Sequence, residues 1–435
     1  MTTALIIGIF LVMCVLMYTK KLSALFVLPI MAFLIALASG IPFGNVDTDE
    51  GTVAGIWTLL FVDGPVRLAS TIMMLIFGAI LSQLIYITGI AGTIVRKISE
   101  LAGDRPLVLG IILFAALSAV FTTLGGLGAV IMVGTIVLPI MASVGIKPLT
   151  SACILLFGLS TGGIFNLTNW GLFIDVLGLD IATIRTFAFP LGGVFAIMGI
   201  LFIVVSEKFG GKILKGKKIA WPQPAEADES AEPQKNAKVF TWLTVVIPLV
   251  LVLVLETHII TALVAAIVYC VITTISKDSV KNLTKAVLDG ISNAAGAIFL
   301  LIGIGMLLVV VMDARVTQNI GPVIADILPQ NPFLYVAFFA VLAPLALYRG
   351  PLNIWGLGLG LGAIMYGTGV LPAFAIMAAL MATGQLQGIC DPTNTHNVWT
   401  ASATSVDVND ILKRTLPFVW AGAIIGLIIA GFMAF

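Results

Sequence analysis

The sequence has little charge, and that shortage excludes a broad class of proteins. Only 10% of its 435 residues are Asp, Glu, Lys or Arg, and 60% are hydrophobic. Soluble globular domains carry about 25% charged residues, so this composition excludes an ordinary soluble domain. The mean hydropathy of +1.15 instead places the chain in a lipid bilayer. The net charge of +1 gives no basis for a nucleic-acid partner.

Histidine and cysteine are also scarce, and catalytic motifs are missing. The chain has two histidines, and its four cysteines lie singly within apolar stretches, so neither a disulfide framework nor a CxxC metal site is expected. The sequence contains no P-loop and no HExxH motif. We therefore expect no enzymatic activity and no cofactor. The N-terminus lacks the basic region and cleavage site of a signal peptide, so the first apolar segment is expected to remain in place.

Long apolar stretches divide the chain into membrane crossings, each of which needs roughly 20 mostly apolar residues. Two stretches, 106–143 and 332–368, are too long for one crossing and are broken midway by glycine and proline. We predict that they form re-entrant hairpins. Segments 92–104 and 277–290 carry charges at helical spacing and are expected to lie as interfacial helices. The ten predicted crossings are 3–18, 22–40, 68–90, 149–178 (interrupted), 185–206, 240–256, 259–275, 292–312, 373–398 (interrupted) and 415–434.

This layout occurs twice, about 226 residues apart. An Asp-Gly pair at 63–64 returns at 289–290, and Pro106 returns as Pro332. Polar breaks return as well, and Asn169 in the first broken helix pairs with Asn394 at a spacing of 225. We predict an all-α polytopic membrane protein with two inverted repeats of five transmembrane helices plus one hairpin each. The predicted units are a first repeat at 1–206, a linker at 207–239 and a second repeat at 240–435.

Charge distribution gives the predicted orientation. If the polar linker is cytoplasmic, 18 of the 22 basic residues fall on the inside, which follows the positive-inside rule. Both termini then lie outside, the first hairpin opens to the cytoplasm and the second opens to the exterior. We expect a multi-pass protein of a bacterial-type plasma (inner) membrane. The basic residues left over are Arg67, Arg185 and Arg315 outside and Arg349 in the second hairpin.

Four polar breaks, at 122–128, 160–170, 348–356 and 384–397, interrupt the apolar sequence. Glycine and proline unwind helices and free backbone groups. Inward helix N-termini suit a carboxylate, and unwound carbonyls suit a sodium ion. We expect the breaks to converge near the midplane around a substrate. The candidate substrate-binding residues are Thr122, Thr123, Gly125, Gly126, Thr161, Asn166, Thr168, Asn169, Arg349, Gly350, Asn353, Gln385, Gln387, Thr393 and Asn394.

Arg349, at the second hairpin tip, is the most costly residue to place in a membrane, at about 2.5 to 3.5 kcal/mol on insertion scales. It either pairs with an acid such as Asp391, extends to the outer surface, or clamps a substrate carboxylate with its guanidinium fork. Asp391 could carry a proton, ligate a cation or serve as that counter-ion. His396 either titrates near neutral pH or is a satisfied hydrogen-bond donor. The candidate coupling-ion residues are Asp391, Thr395, His396 and Asn397.

These spans, breaks and linker together resemble the ion transporter superfamily, particularly its gluconate permease and citrate symporter branches. The resemblance covers nearly the whole chain. It implies a scaffold that forms a homodimer and a mobile domain, built from the hairpins and broken helices, that moves as an elevator. The Ser-Asn-Thr hairpin signature of the sodium-coupled dicarboxylate branch is absent: the tips contain Thr122-Thr123 and Pro351-Leu352-Asn353.

The expected function is cation-coupled symport of a small organic anion, such as a sugar acid, hydroxy acid or di- or tricarboxylate. The coupling ion is a proton or sodium. A sodium/proton antiporter without an organic substrate is the main alternative, since one buried acid suffices for cation exchange. The expected partners are the substrate anion, the lipid bilayer and a second copy of the chain, with no nucleic acid.

Overall fold

The computed structural model describes residues 2–19, 21–48, 51–100, 105–209 and 237–435. Within these ranges the chain is nearly all helical, and its strands are a short antiparallel pair, β1 (Val46–Thr48) and β2 (Gly51–Val53). Most of the predicted linker, residues 210–236, lies outside the described residues.

The helices of the first half precede that linker. A π-helical segment, Leu59–Asp63, joins two short helices ahead of a long apolar one. In chain order the helices are α1 (Thr2–Tyr18), α2 (Ala24–Ala38), α3 (Ile56–Thr58), α4 (Gly64–Arg67), α5 (Ala69–Ile87), α6 (Ile90–Glu100), α7 (Pro106–Phe121), α8 (Gly126–Ser143), α9 (Pro148–Gly163), α10 (Leu167–Leu177) and α11 (Ile181–Phe209).

The second half begins with a 3-10 turn at Val239–Trp242, and a second 3-10 segment, Ala343–Arg349, lies in the predicted hairpin. Its helices are α12 (Leu243–Leu253), α13 (Ile259–Thr273), α14 (Ser279–Val311), α15 (Ala314–Ile327), α16 (Pro332–Leu342), α17 (Gly358–Gly367), α18 (Ala373–Cys390), α19 (Thr395–Ala403) and α20 (Val408–Ala434).

Many of these helices are long enough and apolar enough to cross a bilayer. By length and composition the described residues contain seven candidate spans, or eight if the bent pair α9 and α10 forms one span. The prediction of an all-α, multi-pass membrane protein is confirmed at this level. Four of the predicted crossings correspond to apolar helices shorter than 18 residues, so the total of ten crossings stays a prediction. These shorter helices are α1, α2, α12 and α13.

Both predicted hairpins and both interrupted crossings contain two helices separated by a break. Helices α7 and α8 are separated at 122–125, and α16 and α17 by the 3-10 segment and the following loop. Helices α9 and α10 meet at an angle of 46°. Helices α18 and α19 are separated by residues 391–394. Re-entrance and the inverted orientation of the halves stay predictions.

One helix boundary was wrong. The predicted interfacial helix at 277–290 and the crossing at 292–312 form one continuous 33-residue helix, α14. No proline follows the Asp-Gly pair at 289–290, so the helix continues through it. Gly290 instead lets α14 approach α5, because a Cβ there would lie 3.0 Å from the Ala79 carbonyl carbon and oxygen. The other interfacial segment, 92–104, overlaps α6 (Ile90–Glu100), and its last four residues lie outside the described part of the chain. The amphipathic helix α15 was not predicted.

Packing divides the helices into two groups on either side of the site. Helix α14 packs on α2, α4 and α5, which are uninterrupted or short helices. Helices α7, α9, α11, α18 and α20 pack on one another, with buried aromatic side chains such as Phe157 and Phe202 at 5.0 Å between ring centroids. The four breaks belong to the second group or border it.

Candidate functional site

A cavity of about 550 Å³ lies where the four breaks meet. The first hairpin contributes its tip around Gly125, and the second hairpin contributes Arg349, Ile354 and Trp355. The starts of α10 and α19 form two further parts of the wall. Helices α2, α5 and α14 close the remaining side. The volume falls within the range of about 300 to 1,000 Å³ that small-molecule pockets occupy.

The break between α9 and α10 is organised by Asn166. Its side-chain oxygen accepts a hydrogen bond from Thr168 N at 3.0 Å and so caps α10. Its Nδ2 donates to the backbone oxygens of Phe121 and Leu124, at 3.4 and 3.3 Å, in the first hairpin tip. One buried amide therefore starts the helix and attaches the hairpin to it.

The break between α18 and α19 has the same arrangement, in which one asparagine caps the following helix and also bonds to the backbone. Asn394 caps α19 by accepting a hydrogen bond from His396 N at 3.3 Å, and its Nδ2 donates to Gln387 O at 3.1 Å. Three residues later Asn397 Nδ2 donates back to Asp391 O at 2.9 Å, as Asn169 Nδ2 donates to Gly163 O at 2.8 Å.

These shared roles correct the register between the two breaks. Asn166 corresponds to Asn394 and Asn169 to Asn397, and both pairs are 228 residues apart. The predicted pairing of Asn169 with Asn394, at a spacing of 225, was wrong. The spacing increases because α18 has 18 residues where α9 has 16, and the second break is longer by one residue.

The two broken helices also contact each other directly. Ser160 Oγ donates to Gln385 Oε1 at 2.6 Å, and both side chains are buried. Gly388 makes this approach possible, because a Cβ there would lie 2.5 Å from Ser160 Oγ. Gln385 is held from its other end by Met381 O, which accepts from Nε2 at 3.0 Å.

The second hairpin tip has an unusual backbone. Tyr348 and Arg349 have φ values of +56° and +57°, in the left-handed region that non-glycine residues rarely adopt. Asn353 Oδ1 accepts from Trp355 N at 2.8 Å and supports the turn. Trp355 Nε1 donates to Asn169 Oδ1 at 3.2 Å, which attaches this hairpin to the first break. Such strain persists where surrounding contacts hold the backbone in place.

The Arg349 guanidinium is half-buried and lines the cavity. Its Nη1 donates to Trp355 O at 3.4 Å, and within the described residues no carboxylate lies within 4.0 Å of its nitrogens. Arg349 is the only charged side chain among the described residues that line the cavity. Arg349 contacts Asp391 through its backbone instead: the Arg349 N–H donates a hydrogen bond to Asp391 Oδ2 at 3.4 Å.

Asp391 is fully buried beside the cavity. Its Oδ1 accepts from Thr393 N at 2.8 Å and from Thr393 Oγ1 at 2.7 Å. The carboxylate thus holds the loop that precedes α19 and meets the second hairpin tip. Close by, Asn397 Oδ1 and Thr400 Oγ1 are buried without a hydrogen-bond partner among the described residues.

The first hairpin tip turns on a glycine. Gly126 has a φ of +81°, which places it in the left-handed region at the start of α8. Thr122 Oγ1 and Thr123 Oγ1 donate to carbonyl oxygens of α7, at 2.6 and 3.2 Å, and so complete the end of that helix. The N-terminus of α8 therefore borders the cavity.

The cavity brings together most of the predicted site residues. Those that line it are Thr123, Gly125, Gly126, Asn166, Thr168, Asn169, Arg349, Gln385, Gln387, Asn394, Thr395 and His396. The others, all within the described part of the chain, do not line it: Thr122, Thr161, Gly350, Asn353, Asp391, Thr393 and Asn397. Several of these hold the breaks in shape, as the hydrogen bonds of Thr122, Asn353 and Asp391 illustrate.

The uninterrupted helices contribute polar residues that the sequence did not indicate. These are Ser23 before α2, Ser82 and Gln83 on α5, and Asn293 on α14. Each is a single polar position or pair in an apolar helix or beside one, where a hydrogen bond between helices is the usual role. The helical spacing of the α5 sequence could have identified two of them, because Ser82 and Gln83 continue a stripe of small residues on that helix.

No family model matches this sequence, and no curated protein matches it. Among solved structures, the chain is similar to the crystal structure of the YdaH transporter of Alcanivorax borkumensis, which is described as having an unusual topology. The identity is 13%, the TM-score is 0.58, and the match covers 93% of this chain and 96% of that chain. At this identity the likeness establishes the fold, and that fold, over nearly its full length, is one that a transporter adopts.

Proposed function

We propose that this protein is a secondary active transporter that moves a small organic anion by symport with a cation. One observation carries the proposal: Arg349 is the only charged side chain among the described residues lining the cavity. Without a carboxylate within 4.0 Å of it in the described chain, its guanidinium is available to a ligand. An arginine binds a carboxylate through two parallel hydrogen bonds.

Three helix N-termini support an anionic substrate. Helices α8, α10 and α19 begin at Gly126, Leu167 and Thr395, and residues of each first turn or cap line the cavity. A helix N-terminus carries unsatisfied N–H groups and a partial positive charge. Together with Arg349 they favour a carboxylate over a cation as the principal ligand.

Asp391 is the proposed coupling site, and a proton on its carboxylate is the primary form of the proposal. Sodium is the alternative, and one observation favours it. Asn397 Oδ1 and Thr400 Oγ1 are buried oxygens without a partner among the described residues. They follow an unwound segment, and carbonyls of such segments bind sodium in broken-helix transporters. Substitution of Asp391 distinguishes the two ions.

An elevator motion is the proposed mechanism. The hydrogen bonds of Asn166, Ser160 and Trp355 join both hairpins and both broken helices into one body. Helices α2, α5 and α14 form the facing wall and would stay fixed in a homodimer. The moving and fixed parts correspond to the two groups of packed helices. Inverted repeats would let the transporter alternate between an inward-facing and an outward-facing state.

A sodium/proton antiporter is the alternative function. It needs one titrating carboxylate and a path for small cations. The cavity of about 550 Å³ is far larger than a bare ion requires, and its only charge among the described lining residues is positive. These two features favour the organic anion.

A thermal-shift screen of the purified protein tests the proposed function. Sugar acids, hydroxy acids and di- and tricarboxylates would be added at two pH values, in sodium or in potassium buffer. A ligand that binds the native state raises the Tm. A rise with at least one organic acid supports the proposal, and a rise with sodium alone across the whole panel contradicts it in favour of the antiporter.

A further inference from the structure

The fixed side of the cavity has a polar patch built on one face of α5. The residues of α5 that line the cavity are Leu75, Gly78, Ala79, Ser82 and Gln83. Their spacing of three, four, seven and eight residues places them on one helical stripe. Along this stripe an apolar side chain is followed by two small residues and then by a hydroxyl and an amide.

Neither polar side chain on this stripe forms a hydrogen bond within the described part of the chain. Ser82 is 3% exposed and Gln83 is 7% exposed, and neither side chain has a hydrogen-bond partner among the described residues. A serine in a helix can instead bond to a carbonyl of the preceding turn, as Ser118 Oγ does to Phe114 O at 2.8 Å. Their polar atoms keep some accessible surface and both residues line the cavity, so a ligand in the cavity can hydrogen-bond to them.

Among the described residues, no neighbouring helix fills the usual structural role of hydrogen-bonding to these side chains. A polar residue in a membrane helix most often hydrogen-bonds a neighbouring helix. Helix α14 crosses α5 at Gly290 and Ala79, one turn from Ser82, and α10 and α13 also pack on α5. No hydrogen bond joins Gln83 to Asn293, the polar residue of α14 in the cavity wall, and the Asn293 amide nitrogen lies beside the first hairpin, 2.8 Å from where a Cβ on Gly128 would be.

Charge indicates what the partner group is. Among the described residues, the cavity wall has one cation, Arg349, which the second hairpin contributes. Ser82 and Gln83 are neutral and belong to the uninterrupted helix α5. A neutral amide with a hydroxyl beside it donates and accepts, which suits an uncharged hydroxyl group. A second carboxylate would match a cation better than this pair.

We propose that Gln83, supported by Ser82, binds a hydroxyl group of the transported anion and so selects hydroxy acids over their deoxy counterparts. This inference rests on the proposed function and specifies its substrate class. The carboxylate is held at Arg349 and the hydroxyl is read by the fixed helix α5. Gln83 is thereby a specificity-determining residue outside the four breaks.

Three pairs of acids test the inference: malate with succinate, citrate with tricarballylate, and gluconate with hexanoate. Each pair shares its carbon number and carboxylates and differs in hydroxyl groups. Dissociation constants would be measured by Tm shift for wild-type protein and for Gln83→Leu. For the hydroxy acid that binds wild-type protein, we expect Gln83→Leu to weaken binding by about 3- to 10-fold, the loss of one neutral hydrogen bond. Binding of its deoxy partner should change less than about 2-fold.

Two further variants keep the test decisive. Gln83→Met preserves length without hydrogen bonding and should behave as Gln83→Leu does. Gln318→Leu makes the same change at an exposed position of α15, outside the cavity, and should leave both acids unaffected. Equal effects of Gln83→Leu on both members of a pair, or none on either, would overturn the hydroxyl assignment while leaving the organic-anion function standing. If no acid of the panel binds wild-type protein, the proposed function fails first, and this inference falls with it.

Discussion

Asp175, on α10, accepts two hydrogen bonds from Thr71 in the first turn of α5. Its Oδ2 lies 3.0 Å from Thr71 N and 2.7 Å from Thr71 Oγ1. The N-cap residue of α5, Leu68, has no side chain that can cap the helix. The carboxylate therefore caps α5 from a different helix, where a negative charge is favourable. Gly171, one turn earlier, packs against Met74 and Thr71 of the same helix.

This contact joins the two bodies that we propose to move relative to each other. A disulfide between Cys residues introduced by Thr71→Cys and Asp175→Cys, in a protein without its four native cysteines, should fix α10 to α5. We expect uptake into proteoliposomes to be lost while organic acids still raise the Tm. Reduction should restore uptake.

The matched control uses a cross-strand pair within one body. Asp47 and Thr52 are directly opposite in β1 and β2, and their side chains hydrogen-bond at 2.7 Å. A disulfide from Asp47→Cys and Thr52→Cys should leave uptake unchanged. Full uptake with the α5–α10 crosslink formed would refute the elevator motion and favour a site that stays fixed.

Membrane topology is tested by single cysteines in the same cysteine-free protein. Ser230→Cys lies in the predicted linker and Asp47→Cys lies in the first outer loop. The positive-inside distribution predicts that a membrane-impermeant maleimide labels only the second of them in right-side-out vesicles. The linker position should be labelled once the vesicles are inverted. Labelling of both positions from the outside would rule out the proposed orientation.

Asp391 is tested by removing its charge. If it carries the proton, Asp391→Asn should abolish pH-driven accumulation and preserve exchange of substrate across the membrane, because exchange requires no net proton release. If it ligates sodium, the variant should instead lose the sodium dependence of binding. Uphill, pH-driven uptake by the variant would exclude Asp391 as the coupling site and make His396 the next residue to test.

Asp407 supplies a control for that experiment. It is exposed at the N-cap of α20, and hydrogen bonds from the Asn409 backbone and side chain lower the pKa of its carboxyl. A carboxyl with a lowered pKa stays charged throughout the range from pH 5 to 8, which lies above its ordinary value of about 3.9. Asp407→Asn should therefore leave the pH dependence of uptake unchanged.

Close packing of the first hairpin against α9 is tested by adding one methyl group. A Cβ at Gly162 would lie 2.4 Å from Ser118 O and 2.9 Å from Phe121 Cβ. Because a backbone oxygen cannot move aside, Gly162→Ala should destabilise the protein by about 1 to 3 kcal/mol, typical of overpacking, and lower the Tm. Gly193→Ala, on α11, places the added carbon more than 4 Å from the neighbouring atoms of the described chain and should not lower the Tm. Equal Tm values for the two variants would contradict this packing.

The sequence predicted the breaks because their composition is distinctive. Asn166 and Asn394 stand among glycines and hydroxyl residues, and that density indicates unwound helix in a membrane. Their roles as helix caps required the structure, since Asn169 fits the same repeat almost equally well from spacing alone. Insertions inside the second half shift the register by three residues, and a fixed period does not detect them.

The polar residues that α5 and α14 contribute to the cavity were harder to predict. Ser82, Gln83 and Asn293 interrupt apolar helices singly or in pairs, as helix-to-helix hydrogen bonds also do. Whether such a residue has a partner depends on which helix crosses it. Gly290 was misplaced for the same reason, because its role depends on a neighbouring helix. Next to Asp289 it resembled a helix end, but it lies inside α14 where that helix closely crosses α5.

Binding of the substrate anion by Arg349 is the step on which the proposed function depends most. It is tested most directly by counterflow of a labelled organic acid, chosen as the best binder of the panel, in proteoliposomes containing wild-type protein, Arg349→Lys or Arg349→Ala. Arg185→Lys, at a half-exposed position away from the cavity, controls for the substitution itself. We expect a KM at least about 10-fold higher for Arg349→Lys, through loss of charge-assisted hydrogen bonds, and no transport by Arg349→Ala, with unchanged Tm in the absence of ligand. Wild-type counterflow by both Arg349 variants would contradict it.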